Sequence, residues 1–195
     1  MRLRRLAAAA LIAGGLAGGP AAAGTSIAVF AGVLTDNPWE EVVLRPWRID
    51  VQRPGLAGLA LGRRLGAPVE TRLGTLRFGI EAQLVRHAGL QDNWEVSLPL
   101  TARLTPRRPL LRAIDSVSGG IGLSRATRPP AFERQRGGGD AQRIKVHWHI
   151  ELAHELRDAP ATELFVRLHH RSNAYGLMGP GGSSNGLVAG LRHSF

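Results

Sequence analysis

The stretch WEVSLPLTARL, Trp94–Leu104, alternates apolar side chains with others that are mostly polar. Its even positions are apolar throughout, whereas its odd positions carry Glu95, Ser97, Thr101 and Arg103 beside one proline. A period of two is the spacing of a β-strand whose two faces meet different surroundings. The stretch has 11 residues, and a tilted strand that crosses a bilayer needs about 9–11. It therefore predicts a membrane-spanning strand with one apolar and one polar face.

The same alternation recurs along the chain. It is strong at Leu76–Leu84 and Ile144–Leu156 and weaker at residues 26–34, 56–65, 116–124, 162–172 and 186–195. No stretch after the N-terminus approaches eighteen apolar residues, the length typical of a transmembrane helix. An even number of alternating strands is typical of outer-membrane barrels, in which closure pairs every backbone group. The sequence predicts an all-β fold, an eight-stranded antiparallel up-and-down transmembrane β-barrel.

The N-terminus has the pattern of a secretory signal peptide. Met1–Arg5 is basic, residues 6–19 are mainly apolar, and Ala21–Ala23 offers the small side chains of a cleavage site. We therefore expect a signal peptide at residues 1–23 and a barrel domain at residues 24–195. The chain has no cysteine, so a disulfide framework and a thiolate metal site are both excluded.

A periplasmic N-terminus and eight strands place the longest connections outside the cell. These outer loops are expected at residues 35–55, 87–93, 125–143 and 173–185. The third is rich in arginine, and its Arg128, Arg134 and Arg136 are candidate contacts for the anionic headgroups of lipopolysaccharide. The alternative interpretation is a solvated loop without a ligand. Nucleic acid is not an expected partner in this compartment, and the sequence leaves open whether the chain forms a homodimer.

The segment RLHHRSNAYGL, residues 167–177, carries the candidate chemistry. Alternation puts His170 and Ser172 on the apolar face, which meets lipid in a membrane barrel, near the outer end of the seventh strand. Ionisable side chains facing lipid are functional candidates, and residues i and i+2 of a strand stand about 6–7 Å apart. His170 is thus a candidate general base and Ser172 a candidate nucleophile toward an ester. The Asn173 amide and the backbone N–H groups from Ala174 to Gly176 are candidate oxyanion donors.

These residues resemble the PagL-type lipid A 3-O-deacylases, also described as acyloxyacyl hydrolase-like outer-membrane proteins. The resemblance rests on the signal peptide, the eight-strand pattern, the H-x-S-N-A motif at residues 170–174, and a glycine-rich loop before a final strand that ends in Phe195. It implies a serine esterase of the bacterial outer membrane that removes the 3-O-linked acyl chain of lipid A in lipopolysaccharide. It implies no metal and no cofactor.

One departure from that family concerns the third catalytic residue. The family has a glutamate about twelve residues after the serine, whereas this chain has Ser184 there, followed by Asn185. Either side chain can accept the imidazole N–H, but neither adds a negative charge, so we expect slower catalysis. Alternation favours Asn185 as the residue on the lipid face, yet the choice between the two stays open.

Two other functions compete with the esterase. A non-catalytic small barrel with a structural or adhesive role would tolerate substitution of both His170 and Ser172. A soluble periplasmic lipid-binding barrel would have an apolar interior, and the aromatic content of 5% favours it, because membrane barrels carry aromatic girdles. The polar-face histidines His147, His149 and His169 are expected to fill the lumen as hydrogen-bonded side chains and not as metal ligands.

Overall fold

The computed structural model describes residues 24–89, 91–110 and 113–195, without the side chains of Arg53 and Pro54. The predicted signal peptide lies outside these residues. The described chain forms eight strands: β1 Thr25–Thr35, β2 Val51–Glu70, β3 Gly74–Ala88, β4 Asn93–Pro106, β5 Ser116–Ala126, β6 Ile144–Glu155, β7 Thr162–Ser172 and β8 Ser184–Ser194.

Each strand pairs antiparallel with the next, and β1 pairs with β8, so that the sheet closes into a barrel. The predicted eight-stranded up-and-down barrel is confirmed. The largest difference is in β2, which covers residues 51–70 where alternation indicates only 56–65. Its register with β3 shifts between Leu65 and Val69. A bulge of this kind breaks the period of two, which explains why the sequence pattern misses the last part of the strand.

The two faces of the wall differ as the alternation predicts. In β4 the side chains of Val96, Leu98 and Leu100 point outward and are 54–58% exposed, whereas Glu95 and Ser97 are at most 1% exposed inside the barrel. The lumen holds an apolar cluster around Phe30 and Phe165 as well as buried charged side chains, and the Arg167 guanidinium lies over both rings. An apolar belt outside and many buried charges inside are the reverse of a soluble lipid-binding barrel.

Two short helices lie in the loops at one end of the barrel. Helix α1, Trp39–Leu44, is followed by a 3₁₀ turn at Pro46–Arg48 in the β1–β2 loop. Helix α2, Ala131–Arg136, lies in the β5–β6 loop. The prediction for residues 125–143 needs correction, because the loop is not simply solvated: Phe132 and Glu133 of α2 are buried. Neither helix in the described residues has the length and apolar character needed to cross a membrane.

Candidate active site

His170 lies on the outward face of β7, directly across from Asn185 of β8. The cross-strand register brings His170 Nδ1 to 2.5 Å from Asn185 Oδ1. Both side chains are buried, with exposed fractions of 5% and 1%. The contact follows from the period of two, since both residues have the outward parity of their strands.

A backbone carbonyl fixes which end of the Asn185 amide faces the histidine. Asn185 Nδ2 donates to the Asn37 carbonyl oxygen over 2.8 Å, so the amide oxygen must turn toward His170. An amide oxygen only accepts, and His170 Nδ1 therefore carries the proton. This tautomer leaves the lone pair on Nε2, where a general base needs it.

Asn37 is held in place by its own side chain. Its Oδ1 accepts from the Asp50 backbone N–H over 2.6 Å and contacts Thr35 Oγ1 over 2.8 Å. Its Nδ2 donates to Glu41 Oε2 and to the Arg48 carbonyl. These bonds fold the β1–β2 loop against β8, which sets the position of the carbonyl that orients Asn185.

Two tryptophans cover the histidine on the outside of the barrel. Trp148, the cross-strand neighbour of His170 on β6, lies with its ring centroid 4.4 Å from the imidazole and a 32° angle between the planes. Trp39 of α1 meets Trp148 edge to face at 5.5 Å. The aromatic cover explains why His170 is buried although it faces outward. It also reduces contact of the imidazole with solvent.

Ser172 ends β7 on the same face, two residues after His170. Its Oγ accepts a long hydrogen bond of 3.4 Å from the Ala174 backbone N–H. Among the residues that the structure describes, no hydrogen bond joins Ser172 Oγ to His170. Catalytic hydrogen bonds often form only when substrate binds.

The turn after Ser172 contains three successive residues with positive φ: Ala174 at 48°, Tyr175 at 56° and Gly176 at 96°. The Asn173 amide nitrogen donates to the carbonyls of Gly179 and Gly181. The Ala174 N–H is used by Ser172, and the Gly176 N–H donates to the Asn173 carbonyl. In the described part of the chain, the backbone N–H groups of Asn173 and Tyr175 have no acceptor. They are the free donors nearest to Ser172.

Ser184 points into the lumen and does not contact His170. Its Oγ donates to Glu133 Oε1 over 2.9 Å, and the same carboxylate accepts from Arg171 Nη1 over 2.7 Å. Glu133 therefore hydrogen-bonds to β7 and to β8 inside the lumen, at the residues next to His170 and Asn185. Of the two orienting residues that the sequence left open, Asn185 is the one in contact with the imidazole.

The three loop arginines differ in their surroundings. Arg128 is exposed and lies 3.7 Å from Asp92, whose pKa is held below its ordinary value by a hydrogen bond from Arg86. Arg136 donates to the carbonyls of the β1–β2 loop at residues 35 and 36. Within the described ranges the Arg134 guanidinium is exposed and has no side-chain partner. The structure thus leaves Arg134 the most available of the three to an anion.

Sequence reasoning did not connect Asn37, Trp39 or Glu133 with this site. Asn37 is followed by Pro38, a pair that indicates a turn, but nothing local shows that its carbonyl meets a residue 148 positions away. Trp148 stacks on His170 through the β6–β7 register, whereas the contact of Trp39 with Trp148 depends on the fold of the β1–β2 loop.

The closed barrel, its apolar exterior and its polar lumen define the class as an eight-stranded barrel of the bacterial outer-membrane type. Among solved structures, the crystal structure of the outer membrane enzyme PagL is similar with a TM-score of 0.64 and 14% identity, covering 87% of this chain and 99% of that one. The crystal structure of Neisserial surface protein A, NspA, has a TM-score of 0.47 and 14% identity, covering 88% and 96%. No protein-family model and no curated protein matches the chain in sequence. At this identity the likeness shows the fold.

Proposed function

We propose that the chain is an outer-membrane serine esterase that removes the 3-O-linked acyl chain of lipid A. The observation that carries the proposal is the 2.5 Å contact of His170 Nδ1 with Asn185 Oδ1, on the outer wall and two residues from Ser172. His170 is an ionisable side chain buried beneath Trp148 on an apolar face, and ionisable residues on a lipid-facing wall are functional candidates. Its position at the loop end of the wall is where an ester of an outer-leaflet lipid lies.

Each residue of the site has its own role in the proposed hydrolysis of the ester. His170 Nε2 takes the proton of Ser172 Oγ as that oxygen attacks the ester carbonyl. The backbone N–H groups of Asn173 and Tyr175 stabilise the oxyanion of the tetrahedral intermediate. The C–O bond of the ester then breaks, and His170 gives the proton to the departing sugar hydroxyl. Water, activated by the same imidazole, releases the fatty acid from Ser172.

The substrate headgroup is expected at the rim of the barrel. Arg128, Arg134 and Arg136 are candidate contacts for its phosphates, since guanidinium groups bind phosphate in a bidentate manner. Of the three, Arg134 has no side-chain partner within the described residues, so its guanidinium can bind a phosphate. The acyl chain would lie along the apolar wall outside β6–β8, so the proposal includes location in the bacterial outer membrane and contact with lipopolysaccharide. Formation of a homodimer is not required for it.

Release of a 3-hydroxy fatty acid from lipid A by the purified barrel tests the proposal. We expect Ser172→Ala to lose activity by at least about 100-fold, because no nucleophile remains. Ser183→Ala, in the same loop and without a place in the proposed chemistry, is the matched control. Equal release by wild type and Ser172→Ala would overturn the assignment of the nucleophile.

A non-catalytic outer-membrane barrel is the second candidate. It is favoured by the Ser172 hydroxyl, which accepts from the Ala174 N–H and is not bonded to His170. This candidate predicts no fatty-acid release by folded wild-type protein under any lipid composition. Reaction with a fluorophosphonate that phosphonylates activated serines separates the two: labelling at Ser172 supports the esterase, and failure to label supports the passive barrel.

A further inference from the structure

The lumen contains a second cluster of chemistry-bearing side chains, separate from the outer-wall site. Glu95 of β4, His147 of β6 and His169 of β7 are at most 2% exposed. One ligand atom from each lies within 4.8 Å of the others. The strands β4 and β7 are not neighbours in the barrel, so the cluster spans the lumen.

We propose that these three residues bind one divalent transition-metal ion of the zinc type, with the fourth coordination position open to a ligand from outside the protein. Carboxylate oxygen and imidazole nitrogen are the donors that such ions take in sites without cysteine. The site is independent of the esterase proposal, since none of its ligand atoms faces the outer wall.

One distance between donor atoms already suits tetrahedral coordination. With metal–ligand bonds of about 2.0–2.1 Å, two ligand atoms of a tetrahedron stand about 3.3–3.4 Å apart. Glu95 Oε1 is 3.2 Å from His169 Nε2, and a ligand atom of His147 lies within 4.8 Å of a ligand atom of each of the other two residues. One edge of a tetrahedron therefore exists before any ion is bound, with the third ligand beside it.

Hydrogen bonds to groups outside the cluster orient two of the ligands, His147 and Glu95. His147 Nδ1 donates to the His170 carbonyl over 3.1 Å, which leaves the lone pair on Nε2 for a metal. His87 Nε2 lies 3.0 Å from Glu95 Oε2, so that the other carboxylate oxygen, Oε1, is available to a metal. Ligands held by such outer partners are usual at metal sites.

The charges and access around the cluster are compatible with a cation. Arg171 Nε lies 3.6 Å from Glu95, but its guanidinium is also paired with Glu133. His149 lines a cavity of about 330 Å³ that runs to the barrel end at Gly24 and Ser194. That cavity gives an ion a route from the periplasmic mouth, away from the end where α2 is inserted.

The test is a titration of untagged, detergent-folded full barrel with Zn²⁺ and with Co²⁺. We expect one equivalent of Zn²⁺ by calorimetry and the intense visible absorption of four-coordinate Co²⁺. Glu95→Gln and His147→Gln should each weaken binding more than about 100-fold, and His87→Gln, which removes only an outer partner, by about tenfold. His193→Gln, on β8 outside the cluster, should leave binding unchanged.

Each outcome decides the proposal, and none depends on esterase activity. Absence of stoichiometric binding by folded wild-type protein would overturn it, whatever the variants do. Binding that persists unchanged in Glu95→Gln and His147→Gln would place the ion elsewhere and would also overturn it. Folded barrels change their gel mobility when they are heated, and this shift checks the folding of every variant. Only variants that fold are compared for metal binding.

Discussion

Asn185 contacts His170 on the side where a serine-hydrolase triad has a carboxylate, and an amide can supply only the acceptor function of that carboxylate. Its Oδ1 accepts the Nδ1 proton of His170 and so selects the useful tautomer. It adds no negative charge to stabilise the imidazolium that the proposed reaction would form when Ser172 gives up its proton. An Asn in this position also serves the Cys-His-Asn proteases, which indicates that orientation without charge can support acyl transfer.

Substitutions of Asn185 separate its two hydrogen bonds. Asn185→Leu removes both, and we expect kcat to fall by roughly 100-fold or more with little change in KM, because the imidazole loses its orientation. Asn185→Asp keeps the acceptor and adds a charge, so kcat should equal or exceed that of wild type. The Asp variant lacks the Nδ2 group that donates to the Asn37 carbonyl, and this loss should lower the free energy of unfolding by about 1–3 kcal/mol.

Steady-state deacylation and urea unfolding of the same samples measure these two effects. The assignment of Asn185 as the orienting residue would be wrong if the Leu and Asp variants had equal kcat. Ser184→Ala serves as the neighbouring control, since its hydroxyl binds Glu133 inside the lumen.

At the residue scale, alternation places His170, Ser172 and Asn185 on one face, and the structure agrees with that placement. Alternation reports only which face a side chain occupies. It contains no information on the carbonyl of Asn37 or the ring of Trp39, because both reach the site through the fold of a loop. The shared face of these residues was therefore predictable from sequence, but the choice of Asn185 over Ser184, the aromatic cover and the orienting carbonyl were not.

At the scale of elements, helix α2 links three strands at the loop end of the barrel. Glu133 is fully buried and binds Arg171 and Ser184, and its second oxygen lies 3.0 Å from Lys145 Nζ. The Glu133 carbonyl also accepts from the Gly182 N–H of the β7–β8 loop. One six-residue helix thus joins β6, β7 and β8 at the end that carries the outer-wall site.

Neutralising Glu133 tests this function of α2. Glu133→Gln leaves Lys145 and Arg171 buried with less compensation, and removal of one partner from a buried ion pair costs about 3–5 kcal/mol. We expect a loss of that size in the free energy of unfolding, measured with urea in detergent. Glu155→Gln, an exposed glutamate at the far end of β6, should change it by less than about 0.5 kcal/mol. Similar losses in both variants would refute the assigned role.

The bounds of β7 and β6 were predicted almost to the residue. Strand β7 has the bounds expected from sequence, and β6 differs by one residue at its end. Strand β2 was underestimated because its bulge interrupts the period, and α1 and α2 were missed because six residues give too short a helical pattern. The burial of Glu133 was also unpredictable, since its partners lie on strands distant in sequence.

At the scale of the whole molecule, the barrel has an apolar exterior around a lumen rich in ion pairs. Arg167 pairs with Glu81 and Glu151, and Arg192 joins both carboxylates from β8. Such a lumen is stable because each buried charge has a partner. An apolar exterior of this kind is typical of barrels whose wall lies in lipid.

An arginine in the apolar belt tests whether the wall lies in lipid. Leu100 is near the middle of β4 and outward-facing, so Leu100→Arg should cost about 2–4 kcal/mol of folding free energy in phospholipid bilayers. Leu110 is equally exposed but lies beyond the strand end, near headgroups or water, and Leu110→Arg should cost at most about 1 kcal/mol. Reversible folding into bilayer vesicles, followed by tryptophan fluorescence, measures both. Because a soluble barrel would tolerate both substitutions equally, a large difference between them is the result that an embedded wall requires.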